Sequence, residues 1–313
     1  MPGPTTGAGS PGRRSRTVNC NQTMLAKKAT EILARLPLLL GRVARIQARN
    51  PRKVRVFFSI PLAGKRDEAG WHVTCSVLGH TLKSILQQTD NDFEVVIAGH
   101  EKPPIQEIED DRITFITSSD EKPTETSQFI SDKRLKKILN ALYIRKQGGG
   151  YVVSLDADDL VSKHLVRYIR EKNDANGYIF HRGYALDYLS RVIAPVPGAW
   201  TRAFSLICGS CGAIHLSKGE IGRSRKGVRK SYYGKFLDHT KWEEAATGEG
   251  RPLCPVPFPA AVYVCNTSSS ISTIRLGEKG MEERIRRIHA HQIPLTKSLV
   301  EEFAIPPVLP STP

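Results

Sequence analysis

Residues 151–155 of this chain, Tyr-Val-Val-Ser-Leu, run without a break into Asp156-Ala157-Asp158-Asp159, directly after three glycines, Gly148 to Gly150. The β-favouring run predicts a strand, and a strand that ends in three carboxylates holds them together at a sheet edge. Like charges placed so closely destabilise one another unless a cation intervenes. Carboxylate oxygens are hard ligands that suit Mg2+ or Mn2+, and such ions commonly share their coordination with phosphates. The stretch therefore predicts a grip for a metal and a diphosphate, with Asp156, Asp158 and Asp159 as ligands. A simpler role, capping of a helix expected over 160–172 by Asp158 or Asp159, accounts for one acid and leaves two unexplained.

Around that stretch the hydrophobic pattern alternates between two periods. Strands are predicted over 54–60, 93–98 and 113–117, each rich in β-branched or aromatic residues, and helices over 71–88 and 132–147. Strands alternating with helices imply a Rossmann-like α/β fold with a mainly parallel central sheet flanked by helices. Ligands of open sheets lie beyond the carboxyl ends of the strands. Ser59, Pro61 and Leu62 stand at one such end, His100 and Glu101 at a second, and the acids at a third. The second half is less regular. A hairpin is expected from 178–184 and 191–196, an extended run over 204–216, a helix over 236–246, a strand over 261–264, and helices over 281–291 and 295–304.

The net charge of +15 raises the question of nucleic acid, so its location matters. Residues 1–53 hold eleven Lys or Arg and one acid, Glu31, and residues 218–235 hold seven against Glu220. Two patches on a near-neutral body argue against nucleic acid as a partner, since strand binders interleave aromatics with charge along a face. Residues 1–23, rich in Gly, Pro, Ser and Arg, are expected to form a disordered leader. Residues 24–53 read as a basic amphipathic helical segment that could lie on an anionic membrane, dock on the main body or self-associate. The Gly-rich segment 218–235, with Tyr232 and Tyr233, is expected to be a mobile loop that clamps a diphosphate or attracts an anionic acceptor. No apolar run nears the roughly 18 residues of a membrane span, so a cytoplasmic location, at most peripheral on the inner face of the plasma membrane, is expected. Cys208-Gly209-Ser210-Cys211 lacks a second ligand pair for zinc and is expected to be packed and reduced.

Together, residues 54–61, the run Thr81-Leu82-Lys83-Ser84-Ile85-Leu86-Gln87-Gln88, the strand at 93–97 and Val153–Asp159 resemble the GT-A-type glycosyltransferases, close to the bacterial family-2-like group. The resemblance covers residues 54 to 175 and is loose beyond. It implies a nucleotide-sugar-binding half over 54–175, an acceptor-side half of the same domain over 176–305, and a Pro-rich tail at 306–313. It also implies a UDP-, GDP- or dTDP-sugar donor, Mn2+ or Mg2+, and a glycan or lipid-linked acceptor in surface polysaccharide or glycolipid synthesis. Carried over by motif, Asp156 meets the ribose or a metal-bound water and Asp158 the metal, with Asp159 in support.

Two positions depart from the pattern. Where the family has an Asp after its second strand to meet the base, this chain has Gly99-His100-Glu101; the family's Arg or Asn region reads Asp132-Lys133-Arg134, with Lys133 a candidate for the phosphates. An inverting enzyme also needs a carboxylate base, for which Asp238 and Glu243 are the candidates, while His239 could complete the metal shell. The same residues leave open a nucleotidyltransferase on a similar fold, or a non-enzymatic nucleic-acid- or membrane-binding module.

Overall fold

β1 (Val56–Pro61) is buried along its whole length and feeds two separate layers of core. Val56, Phe58 and Ile60 share one cluster with Leu78, Leu82 and Ile85 of α1 (Glu68–Leu86). β2 (Glu94–Gly99) and β3 (Ile113–Thr117) follow, then α2 (Phe129–Lys146), whose Ile138, Ala141 and Ile144 share the opposite cluster with Phe57. β4 (Gly149–Ser154) splits in the same way, Tyr151 and Val153 to the first layer and Val152 to the second. The two-residue period of a strand thus buries both faces of the sheet under helices. The computed structural model describes residues 54–267 and 271–306, within a compact unit that spans Asn50–Pro313. The expected leader and basic segment, and the tail from 307 onward, lie outside the described residues.

The chain continues through β5 (Leu160–Val161), α3 (Leu165–Lys172), β6 (Gly177–Ile179), β7 (Gly183–Asp187), β8 (Val192–Val196), β9 (Gly212–Ser217), α4 (Arg225–Lys230), α5 (Trp242–Gly248), β10 (Cys254–Pro255), β11 (Ala261–Cys265), α6 (Ile271–Ala290) and α7 (Lys297–Phe303). The central sheet has seven strands in the order β10-β6-β9-β4-β1-β2-β3. β4, β1, β2 and β3 run parallel, and β9 is antiparallel to both of its neighbours. This is the predicted Rossmann-like, GT-A-type arrangement. From β1 the chain crosses to β2 on one side and later returns to β4 on the other, so the space beyond Pro61 and Ser154 is a topological switch point. Ligands of such sheets bind there. A second sheet, β5-β11-β7-β8, packs beside it.

Several sequence expectations change. The helix expected over 160–172 begins only at Leu165, because Leu160 and Val161 pair with Val262 and Ala261 of β11; a short apolar run does not distinguish a buried strand from a helix. The strand expected over 178–184 divides: Gly177–Ile179 joins the central sheet, and only Gly183–Asp187 forms the hairpin with β8. Residues 204–206 are a short 3-10 turn, with strand resuming at Gly212. The helix expected over 236–246 starts at Trp242, and α6 is broken at Gly277 (φ 64°, ψ −179°), so the part after that break answers to the helix expected over 281–291. The segment 218–235 is folded rather than loop-like: Ser224 caps α4 by accepting from Gly227 N at 3.1 Å, and Val228 and Tyr233 are buried. Its glycines serve close packing, since a Cβ on Gly222 would stand 2.0 Å from the Gly227 carbonyl carbon. No helix among the described residues is long and apolar enough to cross a membrane.

Candidate metal and diphosphate site

The polar positions of the run 81–88 explain how the acid loop is held. Thr81, Ser84 and Gln88, at intervals of three and four, form one buried stripe on α1 and the turn that follows it. Thr81 Oγ1 donates to Ala157 O at 3.0 Å, Ser84 Oγ accepts from Val161 N at 3.2 Å, and the Gln88 amide donates to Ser162 O at 2.7 Å while accepting from Val166 N at 2.9 Å. The first of these bonds holds the acid turn itself, at Ala157, and the others hold the chain that follows it. Backbone groups stranded between β4 and α3 are thereby satisfied.

Within the loop, ligand oxygens of Asp156, Asp158 and Asp159 lie within 4.8 Å of one another. Their environments differ. Asp159 is fully buried, with Oδ2 accepting from Ser210 Oγ at 2.5 Å and Cys208 Sγ at 3.0 Å, and Oδ1 accepting from Val264 N at 3.0 Å. Burial first, then the neighbouring Asp158 and Asp156, push its pKa well above the usual carboxylate range. Asp159 is therefore a pin that ties the loop to β11 and to residues 208–210, and not the helix cap that a local reading allows. Asp156 is the reverse case. Burial raises its pKa, but Lys133, 2.7 Å away, and Lys137 outweigh burial and hold it below the usual value. Its Oδ1 is buried and, among the described residues, without a hydrogen-bond partner.

Residues 208–211 were expected only to pack, and Cys208 and Cys211 are indeed free and buried. Their loop does more. Ser210 Oγ accepts from Asp156 N at 2.9 Å while donating to Asp159, so one hydroxyl braces both ends of the acid turn. Gly209 faces the Asp156 carboxylate so closely that a Cβ there would stand 2.6 Å from Oδ2. The sequence signal for this role was the small, polar Gly-Ser pair between two cysteines.

A cleft of about 500 Å3 opens at the switch point. Pro61 at the end of β1 and Ala63 just beyond it line the cleft, with Asp156 and Asp158 from the acid loop and Lys133, Arg134 and Lys137 from α2. Asp238, His239 and Thr240 line it as well, with Arg134 3.5 Å from Asp238, and so do Tyr263 and Arg284. Lys137 is buried and donates to Ser154 Oγ at 3.2 Å; burial first, and then Lys133, lower its pKa. Burial also lowers the His239 pKa, against the opposing charge of Asp156, which favours a neutral imidazole. Asp238 accepts from Thr240 N at 3.1 Å and Oγ1 at 2.8 Å; these bonds and the nearby His239 and Arg134 outweigh burial and keep it ionised.

The remaining sequence candidates lie elsewhere. Glu243 is not among the cleft residues and pairs with His181 Nε2 at 2.8 Å. Ser59 is buried, accepting from Asn140 at 3.1 Å, and Leu62 is buried with its amide bonded to Ala98 O. His100 is held by Asp132 at 2.9 Å, which ties the end of β2 to α2, and Glu101 accepts from Lys65 N at 3.1 Å and pairs with Lys122, which ties it to the loop after β1. His239 lines the cleft but is not part of the three-acid group.

Fold and site together define an α/β protein of GT-A-like architecture with an acidic cluster that could hold a divalent ion. No family model matches the chain, and no curated protein matches it in sequence. Among solved structures, mouse xyloside xylosyltransferase 1 in its apo form aligns with a TM-score of 0.26 at 8% identity, over 64% of this chain and 77% of that one. The fold assignment rests on the strand order, not on that alignment.

Proposed function

We propose that this chain is a metal-dependent glycosyltransferase, related to the family-2-like group, that moves a sugar from a nucleoside-diphosphate donor to an acceptor. The observation that carries this reading is the buried Oδ1 of Asp156, without a hydrogen-bond partner among the described residues, beside Asp158 at the switch point of a parallel sheet. Such an oxygen is costly to leave unpaired, and a cation satisfies it. Asp156 and Asp158 would hold Mg2+ or Mn2+, with Asp159 bracing the loop from behind. The ion, when bound, neutralises charge on the diphosphate and on the nucleoside diphosphate as it leaves.

The cleft supplies the rest. Lys133, Lys137 and Arg134 give it a cationic wall suited to the phosphates of a UDP-, GDP- or dTDP-sugar. Asp238, which lines the cleft beside Arg134 at 3.5 Å, would take the proton of the acceptor hydroxyl; Glu243, tied to His181, does not line the cleft. Acceptor recognition falls to the half after residue 176, for a glycan or lipid-linked acceptor.

The test is thermal stabilisation by UDP, GDP and dTDP with and without Mn2+, in the wild type and in Asp158→Asn. One nucleotide is expected to raise the melting temperature only when Mn2+ is present, and the variant is expected to lose that effect while melting no lower than wild type without ligand. Stabilisation that ignores both Mn2+ and the substitution would sink the proposal.

A further inference from the structure

The basic segment 218–235 takes no part in the cleft, whose lining resumes only at Leu237, so its charge has another use. The segment is built rigidly. Arg145 of α2 donates to Ile221 O at 2.9 Å, Ser224 caps α4, Val228 is buried, and a Cβ on Gly234 would stand 2.4 Å from Arg229 O. Some of its charges are spent within the fold: Arg225 pairs with Asp120 at 2.6 Å, Lys235 with Glu249, and Glu220 with Arg251.

Five cations are left over, Lys218 at the start of the segment and four around α4. Arg223, Lys226, Arg229 and Lys230 are all exposed, and none of them forms an ion pair among the described residues. On α4, Lys226, Arg229 and Lys230 are spaced i, i+3 and i+4 and share one face, opposite the buried Val228, and Arg223 precedes Lys226 by three. Like charges so placed repel one another and weaken the helix that carries them. Folding gains nothing from the stripe; an anionic partner does.

We infer that this stripe is a docking face for an anionic membrane surface, which would hold the enzyme body at lipid headgroups. A planar array of negative headgroups complements a row of cations carried by a short helix, Lys226, Arg229 and Lys230, and by Arg223 just ahead of its cap. Single-stranded nucleic acid fits less well, because it needs exposed aromatics to stack bases. Here Tyr233 is buried, and Tyr232 is engaged by Phe236 and by the Arg251 guanidinium 4.2 Å from its ring centre.

The experiment is co-sedimentation of the full chain with phosphatidylcholine vesicles, with and without phosphatidylserine. Wild type is compared with the fourfold variant R223Q/K226Q/R229Q/K230Q and with a charge-matched control altered at the exposed Lys83, Lys102, Arg167 and Lys241. All three proteins keep residues 1–53, so the difference reads the stripe alone. Each cation near such a surface contributes roughly fivefold, so the stripe variant should bind phosphatidylserine vesicles at least about tenfold more weakly than wild type, and high salt should remove the difference. The control should bind nearly as wild type does. Equal binding by wild type and stripe variant, or an equal loss in the control, overturns the inference. So does an RNA gel shift that the stripe variant abolishes in a protein that ignores vesicles.

Discussion

Removing the Ser210 hydroxyl probes how the acid loop is held. In Ser210→Ala the side chain keeps its Cβ and loses one oxygen, so no new volume enters the site. Two hydrogen bonds vanish, the one given to Asp159 Oδ2 at 2.5 Å and the one taken from the Asp156 amide at 2.9 Å. Each buried partner left unpaired costs about 1–3 kcal/mol. Cys208 and Val264 still hold Asp159, so the two losses overlap and the total should be about 2–3 kcal/mol. In a domain of this size that lowers Tm by roughly 4–12 °C. The cation site responds separately, because disturbing the support behind a metal ligand weakens binding by about 10–100-fold. Calorimetry reads the first effect and the electron paramagnetic resonance of free Mn2+ the second. An unshifted Tm, or a lowered Tm with unaltered Mn2+ affinity, would refute the argument that Ser210 positions the acids.

Two further outcomes are expected. Asp238→Asn should lower kcat by about 100-fold or more, the range of a lost general base, with Glu243→Gln close to wild type; steady-state turnover with a saturating donor decides between them, and the reverse order would remove Asp238 from its role. Burial raises the pKa of Asp187, but hydrogen bonds from Ser190, Asn266 and His289 outweigh it and hold the carboxyl below its ordinary value. A folded-state pKa below the unfolded value of about 3.9 gives stability that is fully present above that pH and is lost as pH falls through the folded value. Asp187→Asn should therefore be less stable than wild type at neutral pH, with the gap narrowing below about pH 4 in urea titrations. A gap that stays constant into acid would contradict this.

The acids and their strand were legible because both signals are local: a β-favouring run, and carboxylates too close together to be incidental. The stripe Thr81, Ser84 and Gln88 was visible as part of a resemblance, yet its purpose was not, since its partners at 157–166 lie some eighty residues on. Residues 208–210 were read as mere packing for the same reason. His100 and Glu101 stood at a strand end as expected, but the cleft opens between β1 and β4, and β2 lies one strand away.

By itself the sequence determined the βαβ alternation, the buried character of the strands and the place of Asp156, Asp158 and Asp159 at a strand tip. Each of these follows from side-chain periodicity and composition within a dozen residues. Only the tertiary structure decided which strands adjoin, that residues 177–187 serve two sheets, and that Asp159 pins the loop while an oxygen of Asp156 has no partner among the described residues. Those outcomes depend on pairings between distant segments, and burial and charge environment are set by neighbours that local pattern does not specify.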